Sequence, residues 1–163
     1  GGRVIRILGY RKCIQIIICG VLAGGLLHML TGVISLENGY GESHLVGISG
    51  ACMALLLTLT TLLPDSRIWL VPVSGKNLGL GFIIAELLLW LMHPGLSLPL
   101  FARLGEQMTA WCGVGLFQIS HACHLGGALA GWWLSRRLLA PIPSLKSLQR
   151  MRREREKEAR RVR

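Results

Sequence analysis

Gly47-Ile48-Ser49-Gly50-Ala51-Cys52-Met53-Ala54-Leu55-Leu56-Leu57-Thr58-Leu59-Thr60-Thr61-Leu62-Leu63 follows a polar loop (Glu42, Ser43, His44) and continues without a charge to Pro64. The run reads as an apolar helix with Ser49 at its head. There the backbone N–H groups lack partners within the helix, and the positive end of the helix dipole favours a developing negative charge. A serine hydroxyl is a weak nucleophile until a base takes its proton. A base at matching depth is therefore needed, and His124, in Ser120-His121-Ala122-Cys123-His124-Leu125-Gly126-Gly127-Ala128-Leu129-Ala130-Gly131, is the candidate.

Composition says what surrounds such a helix. Of 163 residues, 52% are hydrophobic and only 16% charged, and the mean hydropathy is +0.51. That excludes an ordinary soluble domain and points to an all-α membrane protein, a polytopic helical bundle. Charge-free runs extend from Cys13 to Leu36, Ser43 to Pro64 and Gln107 to Ser135, each long enough for the roughly 20 residues that cross a hydrocarbon core. Asn77 to His93 is shorter and carries Glu86, so about four transmembrane helices are expected. The five cysteines are odd in number and scattered, and read as small apolar helix residues rather than a disulfide framework. The chain begins with Gly, and Gly1 to Tyr10 make no signal peptide; the expectation is the C-terminal portion of something longer.

Charge sets orientation. Arg3, Arg6, Arg11 and Lys12 precede the first span, Lys76 precedes the third and Arg136-Arg137 follow the fourth, whereas Glu37 to Glu42 form an acidic, Gly-rich turn. By the positive-inside rule the basic ends are cytoplasmic. The net charge of +10 is thereby explained by the lipid bilayer, with no nucleic acid implied. Residues 1–139 make the transmembrane domain and 140–163 a basic cytoplasmic tail with nine Lys/Arg against three Glu, read as a solvated, partly helical segment. A bacterial inner membrane is the expected location. Ile68 to Gly75 is expected as an apolar interfacial connector, and Leu96 to Thr109 as a long loop at the outer interface, of the kind that serves as a gate or lid.

Spans two and four both descend from the outer face. With the fourth beginning near Ile119, His124 lies roughly 7 to 8 Å in, so its depth matches Ser49. Gly50 and Ala54 on one helix, and Gly127 and Gly131 on the other, let the two backbones approach along the face that presents His124. The roles follow: Ser49 as nucleophile, His124 as general base and then acid, and the Ser49 backbone N–H as an oxyanion donor. No carboxylate is expected near His124, which makes a Ser–His dyad. Water would enter a cavity lined by Ser43, His44, Gln118 and His121. His121, Cys123 and His124 also invite a metal, but Cys123 points elsewhere and no second cluster completes a tetrahedral set, so no metal or cofactor is assigned. His28 reads as a packing or interfacial residue, and Glu86 as a protein-facing acid or part of a polar path.

Gly47 to Gly50 and Cys123-His124-Leu125-Gly126-Gly127-Ala128-Leu129-Ala130-Gly131 resemble the nucleophile motif and the Ala-His-x-x-Gly-x-x-x-Gly motif of the rhomboid intramembrane serine proteases. The resemblance covers nearly everything from Gly1 to Leu139. It implies helices three to six of a six-helix core, Ser49 and His124 as the catalytic pair, no metal or cofactor, and transmembrane proteins cleaved near the outer ends of their spans. It also implies a substrate gate at the third span and Leu96 to Thr109. The chain departs from the family pattern at Met53, Cys123 and Ile5 and lacks the first two helices with their His-x-x-x-Asn. A rhomboid-like protein that binds transmembrane helices without cutting them is the second reading, and a plain structural or transport bundle the third.

Overall fold

Twenty-eight consecutive residues from Tyr10 to Glu37, almost all apolar or small, form the longest helix of the computed structural model, which describes residues 2–37, 48–68 and 71–138. This helix, α2, follows α1 (Gly2–Leu8). Gly9 separates them with φ +82, a left-handed conformation that glycine adopts without steric cost. At 1.5 Å per residue α2 is about 42 Å long, more than a hydrocarbon core of about 30 Å. Only 22% of its most apolar window is buried. A soluble protein's core helix would be mostly covered, so α2 has the character of a lipid-facing span. Among the described residues it alone is long and apolar enough to cross a membrane by itself.

Three further helices complete the bundle, α3 (Ile48–Leu62), α4 (Gly75–Leu91) and, beyond the shorter α5 (Pro99–Cys112) and α6 (Gly115–Gln118), α7 (His121–Leu138), with α3 and α7 packed on α2 and α4 packed on α3 and α7. They are about 22, 25 and 27 Å long by the same rise. The centre of the bundle is the crossing of α2, α3 and α7, and it is built on small residues, as the sequence pattern predicts. A side chain on Gly127 would collide with the Gly50 backbone, and one on Gly131 with the Ala54 backbone. On the other side of α3, Gly20 meets Ala54 and the Gly50 carbonyl. Thr58, fully buried, donates from Oγ1 to the Gly131 carbonyl at 3.3 Å and joins α3 to α7. An apolar cluster of Val4, Cys13, Ile16 and Ala54, flanked by Leu59, Leu134 and Leu138, ties α1 under this crossing. At the end of α7, Arg136 and Arg137 lie over the rings of Trp132 and Trp133, 4.9 and 3.9 Å from the centroids. That pairing suits an interfacial anchor at a basic helix end.

Three expectations are corrected. The apolar connector is two short antiparallel strands, β1 (Arg67–Ile68) and β2 (Val71–Ser74), and Ser74 then caps α4 by accepting the Asn77 N–H. Trp69 lies outside the described residues. The long loop is largely helical: a 3₁₀ turn at Pro94–Leu96, α5 (Pro99–Cys112) and α6 (Gly115–Gln118). Pro99, at the head of α5, lacks only an N–H that has no partner there anyway, and Gly105 lets α5 sit on the Met92 carbonyl that follows α4. The helix expected as the fourth span, α7, starts at His121 rather than near Ile119. Ser120 stands just before it and accepts the Cys123 N–H at 3.2 Å, which is helix capping by a side-chain oxygen.

Candidate active site

Ser49 is the second residue of α3 and half-buried. Gly50, immediately after it, is pressed against α7 on one side and α2 on the other, and this fixes the depth of the serine. Its hydroxyl donates to Cys123 Sγ at 3.8 Å. His124 is three residues into α7, about 4 to 5 Å below its head. The structure thus brings Ser49 to the neighbour of His124; among the described residues no hydrogen bond joins Ser49 to His124 itself. Rotation about χ1 of Ser49 is the motion that exchanges one direction of the hydroxyl for another.

The head of α7 is held from three sides. From α2, His28 Nδ1 shares a hydrogen bond of 2.7 Å with Ser120 Oγ, so His28 is a packing residue as expected. From α6, the Leu116 carbonyl accepts from His121 Nε2 at 2.8 Å, and Phe117 meets the His121 ring edge-on at 6.2 Å. From α4 comes Glu86, which the sequence left without a partner. Its Oε2 is 2.8 Å from His121 Nδ1 and its Oε1 is 3.0 Å from His124 Nδ1. The expectation that no carboxylate lies near His124 is therefore wrong. How α4 is raised against α7 does not follow from residue spacing alone; α4 rests on α3, where Gly79 lies against Thr60 and Leu57. The signal that was available is the charge itself: an acid in an apolar span is a functional hypothesis by default.

Glu86, His121 and His124 are side chains of the type that hold metals, with one candidate ligand atom each within 4.8 Å of the others. The contacts are those of hydrogen bonding. Each carboxylate oxygen faces a different histidine at 2.8 and 3.0 Å, closer than the roughly 3.3 Å between two ligands of a tetrahedral zinc. A metal ion would have to open both contacts.

Of the expected cavity lining, Ser43 and His44 lie outside the described residues, Gln118 is exposed and His121 is buried in the cluster. A cavity of about 20 Å³ does lie beside it, between Thr31, Ser35, Trp90, His93, Ser120 and His121, room enough for one water. Trp90 Nε1 is buried and has no hydrogen-bond partner among the described residues.

A family model, the Rhomboid domain, matches residues 1–141. No curated protein and no solved structure matches the chain.

Proposed function

The chain belongs to the rhomboid family of membrane proteins, and on that premise we propose that it is an intramembrane serine endopeptidase acting on transmembrane segments of other proteins. The observation that carries the reading is the placement of Ser49. It stands in the first turn of α3, in contact with α7 one residue from His124, at a crossing that glycines hold tight.

The chemistry runs as acyl transfer. Ser49 Oγ attacks the scissile carbonyl while His124 Nε2 takes its proton, and the oxyanion forms where the Ser49 N–H and the dipole of α3 favour it. His124 then returns the proton to the leaving amine, and a water repeats the sequence on the ester to regenerate the hydroxyl. Substrate enters between α4 and its neighbours, with α5 beside the opening, and the basic tail faces the cytoplasm of a bacterial cell.

One observation favours a second reading. Ser49 gives its hydrogen bond to Cys123, as it would in a family member that binds transmembrane helices without cutting them. The two are separated by reconstituting the protein in liposomes with a panel of single-span reporter substrates. The protease reading predicts cleavage that Ser49→Ala and His124→Ala each abolish. Capture of reporters, uncut and equally by wild type and both variants, supports the binding protein.

A further inference from the structure

The ring nitrogens of His121 carry more information than their distances. Leu116 contributes a backbone carbonyl, which only accepts, so His121 Nε2 carries a hydrogen. Its Nδ1 faces Glu86 Oε2 at 2.8 Å, and a lone pair cannot face a carboxylate oxygen at that distance. A second proton therefore lies between them. It sits on Nδ1, giving an imidazolium beside a carboxylate, or on Oε2, giving a neutral imidazole beside a carboxylic acid. In both arrangements Oε1 is left as an acceptor. The hydrogen in the contact with His124, 3.0 Å away, must then come from His124 Nδ1. With His124 neutral and a single proton shared between His121 and Glu86, both arrangements give His124 the same tautomer, with Nδ1 protonated and Nε2 carrying its lone pair.

We infer that Glu86 is a positioning residue: bridging from α4, it fixes the His124 ring in the Nδ1–H tautomer and leaves Nε2 as the base for Ser49, while His121, tied to the Leu116 carbonyl, anchors the carboxylate. The inference rests on the protease reading for its consequence and on hydrogen-bond geometry for its content. Glu86 and His121 are only 13% and 6% exposed and His124 17%, so water does not compete freely for these contacts. When His124 takes the serine proton it becomes a cation against Glu86, as the histidine of a serine protease does against its buried acid. Glu86 thus stands behind His124 as an orienting acid that is shared with a second histidine.

Two variants separate positioning from packing. Glu86→Gln keeps the shape: its amide N–H₂ donates to His121 Nδ1 and its carbonyl accepts from His124 Nδ1–H, so the tautomer survives although the charge is lost. Glu86→Leu removes both functions. The test is ¹⁵N NMR of histidine-labelled protein in lipid nanodiscs, with the His124 signals assigned by their loss in His124→Gln. Wild type and Glu86→Gln are expected to show a protonated Nδ1 and an unprotonated Nε2, and Glu86→Leu a mixture of tautomers. With it, Ser49 labelling by a fluorophosphonate should slow by at least about 10²-fold in Glu86→Leu, against the roughly 10⁴-fold that a wrong histidine tautomer costs a serine protease. Glu86→Gln should fall between Glu86→Leu and wild type. A His124 tautomer that is the same in Glu86→Leu as in wild type, or an Nε2–H tautomer in wild type, would overturn the inference. Wild type that resists the probe while its tautomer still depends on Glu86 would remove the protease reading and leave the positioning of His124 intact.

Discussion

Cys123 has no exposed surface, and two other backbones converge on it. A side chain on Gly24 would come within 2.9 Å of its sulfur, and one on Gly50 within 3.2 Å. The residue thus fills the space between α2, α3 and α7 and also accepts the Ser49 hydroxyl. Cys123→Ala should remain folded, losing about 1 kcal/mol or less, since one small buried group is removed. It should also label at Ser49 at least as fast as wild type, because the competing acceptor is gone. Cys123→Leu should cost about 1–3 kcal/mol by overpacking. Thermal unfolding in detergent checks both, and slower labelling of Cys123→Ala would show that the thiol supports the nucleophile instead. At this scale the placement of Ser49 beside the head of α7 was legible, because a serine at a helix head and a histidine in an apolar run each stand out from the sequence around them. Glu86 was equally visible as an anomaly, but its partners were not, since they depend on how α4 is rotated and raised against α7.

At the scale of elements, close helix approach carries the fold. Gly127 and Gly131 lie four residues apart on α7 and meet the backbones of Gly50 and Ala54, also four apart on α3. Such spacing aligns two contact points on one face of each helix. Gly127→Leu or Gly131→Val must push α3 away from α7 or unfold one of them. Each should lower stability by about 1–3 kcal/mol or more and also remove Ser49 reactivity, whereas Gly25→Ala on α2, where a side chain meets nothing within 4 Å, should do neither. Unfolding and labelling measured on the same samples check the contrast. The crossing was legible because the small-residue spacing states which face is the contact. The helix α5 carries a signal too, since Leu100, Leu104 and Trp111 recur at helical spacing, but that face stays exposed instead of packing on the bundle, so nothing in the bundle's pattern demands it. The strand pair escaped notice because four residues are too few for an alternating pattern to be read.

For the molecule as a whole, net charge and apolar content were the most legible properties, since +10 in a chain that is 52% hydrophobic has few explanations besides basic flanks on membrane spans. The proposed reactive centre is a property of the assembly. The serine comes from α3, the histidines from α7 and the acid from α4, and α2 and α6 hold the head of α7 in place. On this proposal no one of these helices suffices, so nucleophile activation reports on the whole arrangement at once. The most direct measurement is fluorophosphonate labelling of the membrane-embedded protein, with the modified residue located by mass spectrometry and with Ser49→Ala and His124→Ala beside wild type. A single adduct on Ser49 in wild type, absent from both variants, is the predicted result. No adduct on Ser49, or an adduct that persists in His124→Ala, would contradict the account and leave the crossing of α3 and α7 as packing alone.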